Sequence, residues 1–470
     1  MLFNNVKILD EDFNLRDNMY VATEDDRIVY VGDSMPRGDY GDIRDGKGKL
    51  LMPAFHNAHG HSPMALLRGY AENMTLQDWL FNKVFPFEDK LNSNAVYWGT
   101  LLTMAEGMRF GIVSHSDMYY FLDDMVRATD DSGCKANISR AITEFGDGDP
   151  WETVRLKEMK DTYERLNGAA DGRVKIDISI HAEYTNSLRA MQAVADYCNQ
   201  VGSIMHIHVS ETQSEHEECK KKYGKTPVRL FNDIGDFDSP ALAAHCVWIE
   251  GEDFDILKEK GVSVASNPIS NMKLASGVAN VPEMLRRGIN VAIGTDSVAS
   301  NNSLNFFEEM KIFAMASKMY YHDPTAVTPR EALYAATRAG AIAQGRLDSG
   351  LIKEGFKADL IMVDINQPNM FPVHDLLNNL VYSASGTDVV MTMSDGKVVY
   401  ENGEYKFIDI EKTIFEAQAA TKDILARQPW SSGVGVSRPH CRYSCLHLPF
   451  RTLHPTSRPG FEACGMLPYR

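Results

Sequence analysis

Between residues 51 and 300, short apolar and β-branched runs alternate with longer stretches in which apolar side chains recur at helical spacing. Eight of the short runs read as strands: Leu50–Phe55, Ile112–Ser116, Lys135–Ala141, Lys175–Ile180, Ser203–Val209, Ala241–His245, Val262–Ser266 and Asn290–Gly294. Helical stretches lie between them, among them Ala95–Arg109, Leu188–Gln200 and Phe306–Met319. Regular strand–helix alternation implies a parallel sheet with right-handed crossovers. Eight such units over about 300 residues predict an α/β fold of the closed (β/α)8 TIM-barrel type rather than an open sheet.

Outside that block the rhythm is that of strands and turns. Val6–Leu9, Tyr20–Thr23 and Ile28–Val31 precede it, separated by Gly32-Asp33 and Asp45-Gly46. After a helix over Pro329–Gln344, strands return at Asp359–Val363, Val389–Met393 and Lys397–Tyr400, with the turn signal Asp395-Gly396 between the last two. The expectation is a small β-sandwich domain built from both chain ends, residues 1–52 and 350–410, around a catalytic barrel over 53–349. A C-terminal helix over 411–430 follows, and then a tail, 431–470, with no periodic pattern and many prolines, which reads as disordered.

Composition narrows the partners. The net charge of −16 repels phosphate backbones, so nucleic acid is not an expected partner. No apolar run reaches the roughly 20 residues that a membrane-spanning helix needs. The first residues, MLFNNVKILDEDF, do not read as a signal peptide. The seven cysteines are scattered and odd in number, which fits a reducing cytoplasm better than a disulfide framework.

Candidate chemistry falls where those strands end. His59-Gly60-His61 follows the first strand, and in extended chain residues i and i+2 face the same side. His206-Ile-His208 closes the fifth strand, with Glu211 three residues on; His206 shares the face of His208 but lies deeper. His245 closes the sixth strand and Asp296 follows the eighth. Any one of these has an ordinary structural reading, as a satisfied core histidine or a helix cap. Together they sit at the C-terminal mouth of one barrel, where active sites of this fold lie. Three imidazoles and a carboxylate suit one divalent metal, Zn²⁺ before Fe²⁺, with a position left for water. The fourth strand ends in Ile180-His181 and offers no lysine for a carbamylated bridge, so a single ion is expected.

These residues resemble the amidohydrolase superfamily and, within its triazine-hydrolase-like branch, the methylthioadenosine/S-adenosylhomocysteine deaminase group. The motifs run from about Lys7 to Glu404 and include Pro53-Ala-Phe-His-Asn-Ala-His-Gly-His61, Trp79-Leu80, His206-Ile-His-Val-Ser-Glu-Thr212, Ala244-His-Cys246, Ser266-Asn-Pro268, Gly294-Thr-Asp296 and Ser300-Asn-Asn-Ser303. The resemblance implies that His59, His61, His208 and Asp296 hold the metal, which lowers the pKa of a bound water. It implies that Asp296 and His245 orient that water and take its proton. Glu211 would protonate N1 of an adenine ring and help ammonia leave C6. It further implies that Glu88 meets the ribose hydroxyls, that His181 contacts the nucleoside, that Trp79 walls the pocket, and that Arg140 meets the distal end of the substrate. Homo-oligomers are common in the group.

One departure stands out. Where the group often places a second arginine for the homocysteine carboxylate, this chain reads Thr143-Glu-Phe-Gly-Asp-Gly-Asp-Pro150, and Arg155 comes late. That favours methylthioadenosine, 5′-deoxyadenosine or adenosine over S-adenosylhomocysteine. Two other readings stand beside this one. One is a different ring hydrolase of the superfamily, a guanine or cytosine deaminase or a triazine chlorohydrolase. The other is an inactive barrel acting as a binding protein.

Overall fold

The computed structural model of the chain describes residues 1–427. The tail expected to be disordered and residues 428–430 of the expected terminal helix lie outside the described residues.

Eight parallel strands form the barrel sheet: Phe55–Gly60, Ile112–Tyr119, Lys135–Arg140, Val174–Ile180, Met205–Val209, Ala241–His245, Ser263–Ser266 and Val291–Ile293. Each pairs with the next in sequence order, as short right-handed crossovers require. The ring is drawn shut where the Asp296 amide donates to the His59 carbonyl at 2.9 Å. One expectation needs correction. Leu50–Phe55 is not the first barrel strand: Lys49–Pro53 belongs to the other sheet, and the barrel begins at Phe55. Two apolar strands abut here, and periodicity cannot divide them. Pro53 has no N–H to continue a ladder, and Ala54 turns its own amide to the Asp359 carbonyl, so the chain changes sheet at that point. His59 therefore lies inside the first strand instead of beyond it.

The second sheet has nine strands and draws on both chain ends. Leu2–Leu9, Leu15–Glu24, Arg27–Gly32, Ile43–Asp45 and Lys49–Pro53 come from the N-terminal side; Leu360–Asp364, Val389–Ser394, Lys397–Glu401 and Glu404–Tyr405 come from the C-terminal side. The join is the antiparallel pairing of Lys49–Pro53 with Leu360–Asp364, in which Leu51 faces Met362. The sheet curls on itself, so that the turn after Leu15–Glu24 meets the segment leading into Leu360: Ile28 donates to the Phe356 carbonyl and Ala358 to that of Asp26. Phe3, Val6, Ile8, Val21, Leu51, Leu360, Met391 and Met393 fill the fold so made. At the turn Asp395-Gly396 both residues have positive φ, 44° and 73°, and a Cβ on Gly396 would stand 1.8 Å from the Asp25 carbonyl oxygen. Glycine is the residue that permits this approach.

The expected helix over Pro329–Gln344 is two helices, Pro329–Ala336 and Arg338–Ala343, parted at Thr337. The second lays Gly340 against the His56 carbonyl, where a Cβ would come within 2.4 Å. The terminal helix Ile410–Ala426 packs on Ser93–Arg109. No helix among the described residues is long and apolar enough to cross a membrane.

One buried group works against this packing. Asp236 is 1% exposed, and neither carboxylate oxygen has a protein partner. Burial, with Asp196 and Asp238 adding to it, pushes its pKa well above the carboxylate range. A carboxyl with a raised native pKa costs stability as pH climbs above the unfolded value near 4. We expect Asp236→Leu to stabilise the protein by about 1–3 kcal/mol at pH 7, the usual cost of an unpaired buried polar group, and by less at pH 5. Urea unfolding at the two pH values checks this, and a lower midpoint for the variant at pH 7 would contradict it.

Candidate active site

The mouth of the barrel is where strand ends deliver their last side chains, and the backbone is strained to do so. Ser210, His245, Cys246 and Asp296 follow or close three strands, and all four have positive φ, between 48° and 73°. Non-glycine residues hold such conformations at a cost, and they concentrate at functional sites.

His59, buried on the first strand, lies at the centre. Its Nε2 is 3.5 Å from Asp296 Oδ1, and His61 Nε2 is 3.3 Å from the same oxygen. His208 Nε2 stands 3.4 Å from His61 Nε2. The possible donor atoms of His59, His61 and Asp296 all lie within 4.8 Å of one another, as do those of His59, His208 and His245. The imidazoles are oriented from behind. His61 Nδ1 meets the Met118 carbonyl at 2.7 Å, His208 Nδ1 the His181 carbonyl at 2.7 Å, and His245 Nδ1 the Asn271 Oδ1 at 2.8 Å. His59 Nδ1 meets His206 Nε2 at 2.9 Å. Asp296 Oδ2 accepts from the hydroxyls of Ser270 at 2.6 Å and Ser300 at 3.1 Å, and Oδ1 from the Ser297 amide at 2.7 Å.

This donor set fits a divalent ion. His59 Nε2 is buried and has no hydrogen-bond partner. Burial drives the pKa of His59 down to about 4 and that of His208 well below its ordinary value, so both rings are neutral, as ligands must be. Burial disfavours charge on His61 too, but the Asp296 carboxylate outweighs it and brings His61 up to about 9. Burial likewise raises Asp296, and the imidazoles of His59 and His61 overcome that and hold it well below the carboxylate range. Imidazoles and a carboxylate gathered at one end of a cavity, in two overlapping groups of three that share His59, are donors suited to a divalent metal.

The cavity beyond opens to solvent and is lined in part by His61, His208, His245, Glu211 and Asp296. Glu211 Oε2 is 3.9 Å from His245 Nε2, and Oε1 accepts from the Ser276 hydroxyl at 3.3 Å. Burial pushes the Glu211 pKa up, which favours its protonated form. Its place is set locally by a capping box: Glu215 Oε2 accepts from the amides of Glu211 at 2.8 Å and Thr212 at 3.3 Å. Trp79, Glu88 and His181 also line the cavity. Burial raises the pKa of Glu88 to about 7, partly offset by a hydrogen bond with Tyr119. Arg140 is not among the lining residues. Its guanidinium is taken by Glu158 at 3.0 Å and the Ala141 carbonyl at 2.6 Å, and it lies over the ring of Tyr120, which does line the cavity.

Several contributors were not singled out from the sequence. Tyr119, Asn271, Ser270 and Ser300 each hold a site residue in place. The stretches Ser266-Asn-Pro268 and Ser300-Asn-Asn-Ser303 carried a signal near three of them, but pattern alone does not say which polar side chain turns inward.

A closed barrel with imidazole and carboxylate donors at its mouth is the architecture of a metal-dependent hydrolase. Residues 50–399 match the Amidohydrolase family, and the chain belongs to it. It is 41% identical over 427 residues to a 5-methylthioadenosine/S-adenosylhomocysteine deaminase of Caldanaerobacter subterraneus, covering 90% of this chain and 98% of that protein. It is 42% identical over 407 residues to a 5′-deoxyadenosine deaminase of Methanosarcina mazei, covering 87% and 94%. Among solved structures, an adenosine deaminase from Xanthomonas campestris with bound zinc superposes with a TM-score of 0.85 at 28% identity, covering 91% and 98%.

Proposed function

We propose that the protein is a metal-dependent aminohydrolase that converts the adenine ring of a nucleoside to hypoxanthine and releases ammonia. The observation that carries this reading is Glu211, a buried carboxyl with a raised pKa, set beside the cluster of imidazoles and Asp296. The deaminases at about 40% identity support it. His59, His61, His208 and Asp296 would hold one divalent ion, with zinc the first choice. When bound, that ion supplies the Lewis acidity that makes water nucleophilic near neutral pH.

The residues divide the remaining work. Water adds to C6, and its proton passes to the Asp296 carboxylate or His245. Glu211 gives its proton to ring N1, so that the negative charge of the addition does not build up on the ring. The proton held at Asp296 or His245 then reaches the exocyclic nitrogen, which leaves as ammonia. The C6 hydroxyl returns its proton to Glu211 as the C6 carbonyl and the N1–C6 amide form. Glu88, also on the cavity wall, accepts hydrogen bonds from the vicinal ribose hydroxyls. Trp79 and His181 close the sides of the cavity.

The same walls select the 5′ group. Among the described residues no lysine or arginine lines the cavity, whereas Leu76, Leu80, Val84 and Phe85 do. The two arginines on the segment after the third barrel strand are held by internal carboxylates, Arg140 by Glu158 at 3.0 Å and Arg155 by Glu144 at 2.9 Å. A substrate carboxylate would have to compete with a glutamate for either. We expect kcat/KM for 5′-deoxyadenosine and methylthioadenosine to exceed that for S-adenosylhomocysteine by about 10-fold or more, a difference of roughly 1.4 kcal/mol. Ammonia release and the adenine-to-hypoxanthine absorbance change, followed on zinc-loaded protein, test both points. Turnover of none of these nucleosides with metal bound would sink the deaminase reading. Turnover with S-adenosylhomocysteine preferred would sink only the selectivity.

A further inference from the structure

Four imidazoles meet at the barrel mouth, and each is fixed through its Nδ1. Three lean on oxygens that can only accept: the carbonyls of Met118 and His181 and the amide oxygen of Asn271. An N–H therefore sits on Nδ1 of His61, His208 and His245, so Nε2 is the nitrogen each would offer an ion; at His61 that nitrogen now faces the Asp296 carboxylate at 3.3 Å. His59 is different. Its Nδ1 meets another imidazole, His206 Nε2, at 2.9 Å. His206 is fully buried, its ring stands edge-on to that of His59 with the two at 84°, and its own Nδ1 has no protein partner. An imidazole nitrogen can donate or accept, so this contact alone does not force the tautomer as a carbonyl would.

We infer that His206 is a positioning residue for the metal centre: its Nε2 accepts the Nδ1 hydrogen of His59 and thereby aims the His59 Nε2 lone pair at the ion. The inference rests on the metal set proposed above. Strand geometry makes the arrangement available. His206 and His208 are alternate residues of Met205–Val209 and share a face, so one strand supplies a ligand at the mouth and a support for another ligand one layer below. Partners behind a metal-bound histidine fix its ring and raise its basicity, and losing one typically weakens metal binding 10–100-fold. His206 carries a cost that a purely structural residue would not. Its second nitrogen is buried and unpaired, so in the metal-free protein an apolar side chain of similar size would be the more stable choice.

The experiment compares His206→Leu with His206→Gln in the full-length protein. Gln keeps a carbonyl acceptor in reach of His59 Nδ1; Leu fills the space without one. Zn²⁺ affinity is measured by competition with a chromogenic chelator, with no substrate present, and the melting temperature of the chelator-stripped protein is recorded in parallel. The Leu variant should bind Zn²⁺ about 10–100-fold more weakly while its metal-free melting temperature stays the same or rises. The Gln variant should keep Zn²⁺ affinity within about 3-fold of the parent, because the acceptor is retained. Leu affinity within that same margin overturns the inference, and so do equal losses in the two variants. Should the Leu variant not fold, His206→Met, with only a weak thioether acceptor, takes its place and carries the same expectation. Because no turnover is read, failure of the deaminase reading would leave this result standing on its own.

Discussion

Replacing Glu211 by Gln should lower kcat on the best nucleoside by about 10²–10⁴-fold, the usual contribution of a positioned general acid or base. The amide has the size and shape of the carboxylic acid and can still accept from the Ser276 hydroxyl, which lies 3.3 Å from Oε1. It cannot release a proton to N1. Adding oxygen to an aromatic ring carbon without that proton leaves charge on the ring, and an amine is too basic to leave unassisted. The loss should therefore fall on kcat, with KM little changed, because the amide keeps the shape of the Glu211 side chain and its hydrogen-bonding reach toward N1. Zinc content and melting temperature should match the parent, since Glu211 is not among the proposed ligands. A kcat reduced less than 10-fold would remove Glu211 from the proton path and with it the main support for deamination over hydrolysis of a better leaving group.

Replacing Lys135 by Met should destabilise the fold by about 3–5 kcal/mol, the range found when one partner of a buried ion pair is removed. Lys135 is 2% exposed at the start of the third barrel strand. Its Nζ reaches Asp359 Oδ1 at 2.6 Å and Asp395 Oδ1 at 2.7 Å, so one ammonium ties the barrel to the two-ended sheet. Asp359 also accepts from the Ser349 hydroxyl at 2.9 Å and the Asp395 amide at 2.9 Å. Burial opposes its charge, but Lys135 wins and holds its pKa down to about 2. A carboxyl with a depressed native pKa adds stability above the unfolded value near 4, and that stability is lost as pH falls from about 4 to about 2. Without Lys135 the sign reverses. Asp359 becomes a buried charge lacking its main counterion, its pKa rises, and the variant should be weakest relative to the parent at neutral pH. Urea denaturation between pH 4 and 8 reads this directly. Adding Asp359→Leu should restore part of the loss, because the stranded charge goes with it. A Lys135→Met variant within 1 kcal/mol of the parent at pH 7 would mean that the pair does not hold the two sheets together.

What was legible in the chain was what repeats at short range. Seven of the eight barrel strands appear in the sequence as short runs rich in apolar and β-branched residues, and their order follows from connections that allow only neighbouring parallel pairing. The residues proposed to hold the metal, and His245 beside them, were legible for a related reason. His59, His61, His208, His245 and Asp296 lie in or just beyond a strand, so locating the strand ends located the donors. Even the first strand, displaced by a few residues, kept its histidines at the mouth. Glu211 was legible through its offset of three from His208.

Partner choice was not legible in this way, because it joins residues 18 to more than 200 positions apart through distances of about 3 Å. Nothing near Arg140 in the chain tells whether its guanidinium faces a substrate or Glu158; the packing of the helix Val154–Leu166 on the strand does. The division between Lys49–Pro53 and Phe55–Gly60 depended on which sheet offered each backbone its hydrogen bonds. The pairing of His59 with His206 joins two strands four places apart around the barrel and follows from closure of the ring. The sequence by itself determined which chemical groups are present and at which end of the barrel they emerge, since local periodicity settles both. Only the tertiary structure decided which group orients, charges or restrains which other, because those energies depend on separations in space that the order of residues does not contain.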